Sequence, residues 1–211
     1  DFEELWRRFA SPQVRASGTL CGNIANGSPI GDAPPALIAA GATLTLRKGD
    51  ERREIPLEDF FIEYGAQDRA PGEFVESVFT PRPADPEALK IYKLSKRFDQ
   101  DITSVLAAIN IELDGETVAD ARISFGGVAG VPFRARATEA ALIDQTFGDA
   151  AIGAAMKALE DEIDPLTDHR ASAAYRMKAA RNLLLKYFVE RRFGPQRVTG
   201  AGRFEIPGDA A

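Results

Sequence analysis

The sequence predicts an α+β chain in which runs of strands give way to runs of helices. Three observations carry that expectation. Short strand-like runs recur between Thr43 and Phe125, and two of their junctions are turn dipeptides, Gly49-Asp50 and Asp114-Gly115. Beyond Thr138 the composition becomes helical, and from Ala171 to Phe193 the apolar residues Ala173, Met177, Ala180, Leu184 and Tyr187 or Phe188 form one stripe. A proline-rich break, Pro81-Arg82-Pro83-Ala84-Asp85-Pro86, divides the earlier elements from the later ones.

Taken in order, Phe2, Leu5, Trp6 and Phe9 recur at helical spacing and predict a short amphipathic helix. Gly18 to Asp32 is too rich in Gly, Asn and Ser for a regular element and is expected to be a shaped loop with a strand inside it. Asp32, the prolines at 34 and 35, the apolar turn Ala36-Leu37-Ile38-Ala39 and Gly41 describe a short buried helix with its start and stop signals. Thr43–Arg47 and Arg52–Pro56 read as a hairpin, and Phe74–Thr80 as a further strand. Ile91–Phe98, Ile102–Leu113 and Thr117–Phe125 read as a small antiparallel sheet. Helices are expected over Thr138–Asp144, Ala150–Ile163 and the final stripe, where Asp168 is placed as the cap and Tyr175 and Arg176 as packing residues. The implied organisation is 1–82, 83–193 and a Gly- and Pro-rich tail, 194–211, held against another chain.

Composition narrows the function. The 211 residues are 45% hydrophobic, enough for a real core, and 32 acidic against 26 basic residues argue against a nucleic-acid or anionic membrane surface. The longest apolar stretches fall short of the ~20 residues that span a bilayer, and Asp1-Phe2-Glu3-Glu4 has no secretory pattern, so a cytoplasmic setting is expected. One cysteine, Cys21, and one histidine, His169, leave no internal disulfide, all-cysteine iron–sulfur site or His-rich metal centre. No metal ligands and no acid or base catalyst are therefore assigned, His169 reads as a surface residue, and redox work would require an organic cofactor.

The informative segment runs from Val14 to Asp32, and from Gly18 onward it reads Gly-Thr-Leu-Cys-Gly-Asn-Ile-Ala-Asn-Gly-Ser-Pro-Ile-Gly-Asp. A diphosphate needs backbone N–H groups brought close, which glycines such as Gly22 permit. Thr19 adds a hydroxyl donor and Asn23 an amide donor, while Asp32 offers either an acceptor for ribityl or ribose hydroxyls or a cap for the helix it precedes. Gly18-Thr19, Gly22-Asn23-Ile24 and Asn26 to Asp32 closely resemble the flavin-binding loop of the xanthine dehydrogenase flavin subunits, within the molybdenum hydroxylase flavoproteins. The family carries glycine where this chain has Cys21, whose side chain needs room beside the cofactor.

The resemblance covers nearly the whole chain. It implies a partial FAD-binding subdomain of the molybdopterin dehydrogenase, vanillyl-alcohol-oxidase-like type, followed by a sheet packed with helices. Phe9 matches an aromatic that lies against the cofactor, although its spacing equally suits a core helix residue. Pro56–Phe61 and Pro71–Val75 resemble the approach to the flavin ring, where Val75 would offer backbone hydrogen bonds. Tyr92 to Ile102 resembles the segment bordering the isoalloxazine, with Lys93 as the cation near its pyrimidine end and Arg97–Asp101 bordering the nicotinamide's access. Asp168 to Arg176 resembles the start of the family's final helix.

The resemblance further implies FAD bound jointly with an N-terminal half that carries another glycine loop. A chain starting within the flavin domain is expected to bind flavin weakly by itself, as a fragment, a cleaved product or one member of a hetero-oligomer. A molybdenum cofactor on a partner subunit and 2Fe-2S clusters elsewhere would deliver electrons from purine hydroxylation, and NAD would accept them. The other readings are the flavin subunit of another molybdenum hydroxylase, a non-enzymatic interaction module built on the helical part, and a flavin reductase unrelated to molybdenum. Metal content of the native complex separates the last of these.

Overall fold

The computed structural model describes residues 1–83 and 85–194. Four short helices open the chain: α1 (Phe2–Arg8), α2 (Pro12–Ser17), α3 (Leu20–Ala25) and α4 (Ala33–Ala39). An antiparallel sheet follows, with β1 (Thr43–Lys48) central between β2 (Glu51–Pro56) and β5 (Phe74–Phe79). The expected hairpin forms at Gly49-Asp50, where Gly49 takes the positive φ of +61° that a two-residue turn requires. Between β2 and β5, a 3-10 turn (Leu57–Phe60) leads into a small ribbon of β3 (Phe61–Glu63) and β4 (Ala66–Gln67).

The second sheet runs in sequence order: β6 (Leu89–Leu94), β7 (Val105–Asp114), β8 (Thr117–Gly126) and β9 (Phe133–Arg134). Its middle strand β7 is apolar on both faces, as a strand covered on both sides must be. Val105, Ala107, Ile109 and Ile111 face a core built with the later helices, α5 (Arg136–Ala140), α6 (Asp149–Glu162) and α7 (Ala173–Phe193). Leu106 and Ala108 face the other way, onto Ala36 and Ala39 of α4.

Every residue of α4 is buried, because it lies between the two sheets. Leu37 and Ile38 pack with Leu44 and Leu46 of the first sheet, and Ala36 and Ala39 with the second. The guanidinium of Arg122, on β8, donates to the Ile38 carbonyl at 3.0 Å and so satisfies an end of this enclosed helix. Arg122 and Arg134 both reach Glu58, at 2.8 and 2.7 Å, which ties the second sheet to the 3-10 turn after the first. Burial opposes ionisation of Glu58, but the backbone N–H and the two guanidiniums outweigh it and lower its pKa. Ion pairs thus run across the proline-rich break, from β8 and β9 to the 3-10 turn.

Several expectations need correction. The Gly18–Asp32 segment contains a helix, α3, and no strand, because Thr19 caps it by accepting from the Gly22 N–H at 3.0 Å. The run from Ile91 leaves the sheet at Leu94, where the Ser95 hydroxyl bonds the Arg97 carbonyl and Asp101 accepts from the Arg97 N–H to make a turn. Ser172, not Asp168, caps α7. Asp168 instead accepts from the N–H groups of Arg170 and Ala171 and from Arg176. Arg176 is buried, but Tyr175 is 51% exposed. The stripe along α7 is otherwise as read, with Ala180, Leu184, Tyr187 and Phe188 buried and Ala173 and Met177 at its margin. His169 is exposed. The tail expected to pack on another chain lies outside the described residues from 195 onward.

The approach to α7 carries an acid-sensitive clasp. Burial raises the Asp168 pKa, but the two backbone N–H groups and the Arg176 guanidinium bring it down to about 2. Because the folded value lies below that of a free aspartate, this stabilisation is present above pH ~4 and is lost as pH falls through ~2. Unfolding measured across that window should show the loss, and Asp168→Asn should flatten it; an unchanged acid limb in the variant would remove Asp168 from this role.

Candidate functional site

α1, α2 and α3 enclose a cleft of about 500 Å³, whose lining includes Trp6, Phe9, Val14, Thr19, Gly22 and Asn23. Local chemistry shapes it. Ser11 caps α2 ahead of Pro12, Thr19 caps α3, and the extended residues Gly18 and Thr19 join the two helices. Gly22 is required for the second cap, since a Cβ there would stand 2.8 Å from Thr19 Oγ1. The first N–H groups of α3, at Leu20 and Cys21, have no acceptor within the helix.

A smaller cleft of about 220 Å³ adjoins it, with Phe9, Asn23, Gly31, Asp32, Lys93 and Thr103 among its walls. Phe9 and Asn23 border both spaces. Of the residues singled out from sequence, six thus come together: Phe9, Thr19, Gly22, Asn23, Asp32 and Lys93. Val75 does not join them by its side chain, which is 7% exposed and packs in the core with Ile24 under α3. The Asn23 Oδ1 is buried and has no hydrogen-bond partner, a cost that a ligand filling the clefts would relieve.

Asp32 and Lys93 form a buried ion pair. The Lys93 Nζ donates to Asp32 Oδ2 at 2.6 Å, with the two side chains 4% and 5% exposed. The Thr103 hydroxyl donates to Asp32 Oδ1, and Lys93 also donates to the Arg8 carbonyl at 3.1 Å. Asp32 stands at the N-cap position of α4, yet its side chain makes no capping bond, so the capping alternative is set aside. Lys93 accordingly presents to the cleft a charge already matched by a carboxylate, not a bare cation. Arg8 closes the arrangement by donating to the Lys93 and Phe98 carbonyls, each at 3.1 Å, with its guanidinium 5.0 Å from the Phe98 ring centre.

Cys21 takes nothing from the cleft. Its Sγ lies 3.8 Å from the Glu76 carbonyl on β5, its side chain packs on the core, and burial raises the thiol's pKa. The Cβ that the family's glycine lacks is accommodated on the protein side of α3. Arg8, Thr103 and Arg176 were not singled out as site residues from sequence. An arginine on an amphipathic helix and a threonine before a strand carry no spacing signal that separates them from surface or strand residues.

Comparison with known proteins follows this geometry closely. Residues 1–83 match the FAD-binding domain in molybdopterin dehydrogenase, and residues 90–191 match the C-terminal domain of carbon monoxide dehydrogenase flavoprotein. The chain belongs to the molybdenum hydroxylase flavoproteins. It is 36% identical to xanthine dehydrogenase of Emericella nidulans over 75% of its own length, and spans 12% of that protein. Against the glyceraldehyde dehydrogenase medium chain of Sulfolobus acidocaldarius it is 31% identical, over 87% of this chain and 65% of that one. The carbon monoxide dehydrogenase of Hydrogenophaga pseudoflava superposes with a TM-score of 0.79 at 31% identity, covering 84% of this chain and 62% of the other. No helix among the described residues of this flavoprotein is long and apolar enough to cross a membrane.

Replacing Lys93 with Met would leave the Asp32 carboxylate buried beside Thr103 alone and should destabilise the fold by about 3–5 kcal/mol. The double variant Asp32→Asn/Lys93→Met should recover a large part of that loss. Urea unfolding of both singles and the double gives the coupling, and strictly additive losses would mean the pair does not interact.

Proposed function

We propose that this chain forms the electron-transfer part of a xanthine dehydrogenase, passing electrons from iron–sulfur clusters through FAD to NAD during purine hydroxylation. The observation that carries the flavin reading is the pair of joined clefts with Phe9 and Asn23 at their junction and an unpartnered Asn23 oxygen inside. The xanthine reading is supported by the Gly18-Thr19, Gly22-Asn23-Ile24 and Asn26–Asp32 residues and by the 36% identity above.

When bound, FAD supplies the exchange between single-electron and hydride transfer. The chain's own residues hold and tune it. Thr19 and the first N–H groups of α3 suit the diphosphate, and the Asn23 amide offers both a donor and an acceptor. Phe9 gives an apolar face. The Asp32 carboxylate, with lone pairs left after Lys93 and Thr103, suits a sugar or ribityl hydroxyl, and Val75 would contribute backbone groups. No side chain is asked to act as acid or base. A second reading, the flavin subunit of a different molybdenum hydroxylase, is favoured by the 65% coverage of the glyceraldehyde dehydrogenase medium chain.

The test uses the native complex containing this chain. FAD, molybdenum and iron should all be present, and xanthine with NAD should yield NADH. A complex that contains FAD yet turns over another substrate in place of xanthine would support the second reading, and one without FAD would end both. Asn23→Ala should weaken FAD binding about tenfold, the scale of one lost buried hydrogen bond, with equal affinity in the variant removing Asn23 from the site.

A further inference from the structure

Arg176 lies near the start of α7 with 3% exposure, and an arginine so enclosed must find acceptors for its donors. Its Nη1 donates to the Ser104 carbonyl and, at 2.9 Å, to the Gly127 carbonyl, while Nη2 donates to Asp168 at 2.8 Å. Its Nε is buried without a partner. Docking of α7 does not explain this arrangement, because Ser172 caps the helix and Leu184, Tyr187 and Phe188 anchor it in the core.

Both carbonyls belong to segments that lead to Asp32. Ser104 follows Thr103, whose hydroxyl bonds Asp32, and the Ser104 N–H donates to the Leu94 carbonyl at 2.8 Å, next to Lys93. Gly127 donates its N–H to the Pro29 carbonyl at 2.8 Å, in the turn just before Asp32. The two segments are pressed together: Gly127 has φ +82°, and a Cβ on it would stand 2.3 Å from the Ser104 oxygen. A single guanidinium thus meets two backbone segments that approach the Asp32–Lys93 pair from opposite directions along the chain.

We propose that Arg176 is a positioning residue for the flavin cleft, fixing Thr103 and the Pro29–Asp32 turn around the buried ion pair through the Ser104 and Gly127 carbonyls. It touches no cofactor itself. The planar fork of arginine suits the task, because it directs two donors at separated acceptors while Asp168 balances the charge. This inference rests on the flavin reading of the cleft.

The test compares wild type, Arg176→Lys and Arg176→Met in the assembled complex. Three readings are taken: FAD affinity after cofactor removal, the flavin midpoint potential, and thermal unfolding of the cofactor-free form. Arg176→Met should weaken FAD binding about tenfold or more and shift the potential, with Arg176→Lys between it and wild type. A fall in thermal stability with wild-type affinity and potential would overturn the proposal by making Arg176 structural only. If Arg176→Met does not assemble, Arg176→Lys and Thr103→Val decide. Severalfold weaker FAD binding in both supports the proposal, and wild-type values of affinity and potential in either overturn it. Absence of FAD from the wild-type complex would instead sink the flavin reading on which the proposal rests.

Discussion

The enclosure of α4 between two sheets is the constraint from which the site follows. A helix of Ala, Pro, Leu and Ile can be buried on all sides at little polar cost, but the residue that starts it is Asp32. Burying the helix takes that carboxylate out of water with it, and an unmatched buried charge is far too costly to keep. Lys93 and Thr103 meet it from opposite ends of the loop between β6 and β7, so the second sheet completes an interior that the first began. Neither half of the chain could close this pocket alone.

A buried ion pair is weak evidence for net stability, since desolvation offsets most of the attraction between its members. Its value here is geometric. Each Asp32 oxygen has a fixed donor, the lysine is held a second time by the Arg8 carbonyl, and Arg8 in turn holds the main chain at Lys93 and Phe98. The wall of the smaller cleft is thereby set before any ligand arrives, which lowers the ordering cost of binding. The flanking loop from Ser95 to Ile102 has a different character, with Phe98 and Ile102 exposed and its turn built on bonds to the Asp101 carboxylate, while Arg8 and the His169 carbonyl tie it to the rest of the chain.

What was legible in the sequence was whatever a local pattern can encode. The hairpins at Gly49-Asp50 and Asp114-Gly115, the apolar run of β7, the enclosed α4 and the stripe of α7 are all statements about period and turn chemistry, and the structure contains them. Helix α3 was hidden because its Gly and Asn content argues against a helix, while one threonine cap and packing on β5 suffice to wind it. The site residues came from the resemblance, since spacing cannot show that a lysine in a strand is buried. Pairings such as Lys93 with Asp32, or Arg176 with Ser104, join residues 61 and 72 positions apart, and only the assembled chain brings them together.

The chain is similar to proteins named for xanthine, glyceraldehyde and carbon monoxide, three chemically unlike substrates. That breadth has a physical basis if the clefts hold a flavin. Electrons carry no record of the molecule they left, so a wall made of Phe9, Asn23 and the Asp32–Lys93 pair has only the cofactor to recognise. Selection on substrate then acts on other surfaces, while the residues around the cleft answer to potential and affinity. Cys21 is an example of what this freedom permits: its side chain turns to the Glu76 carbonyl on the protein side of α3, away from the cleft.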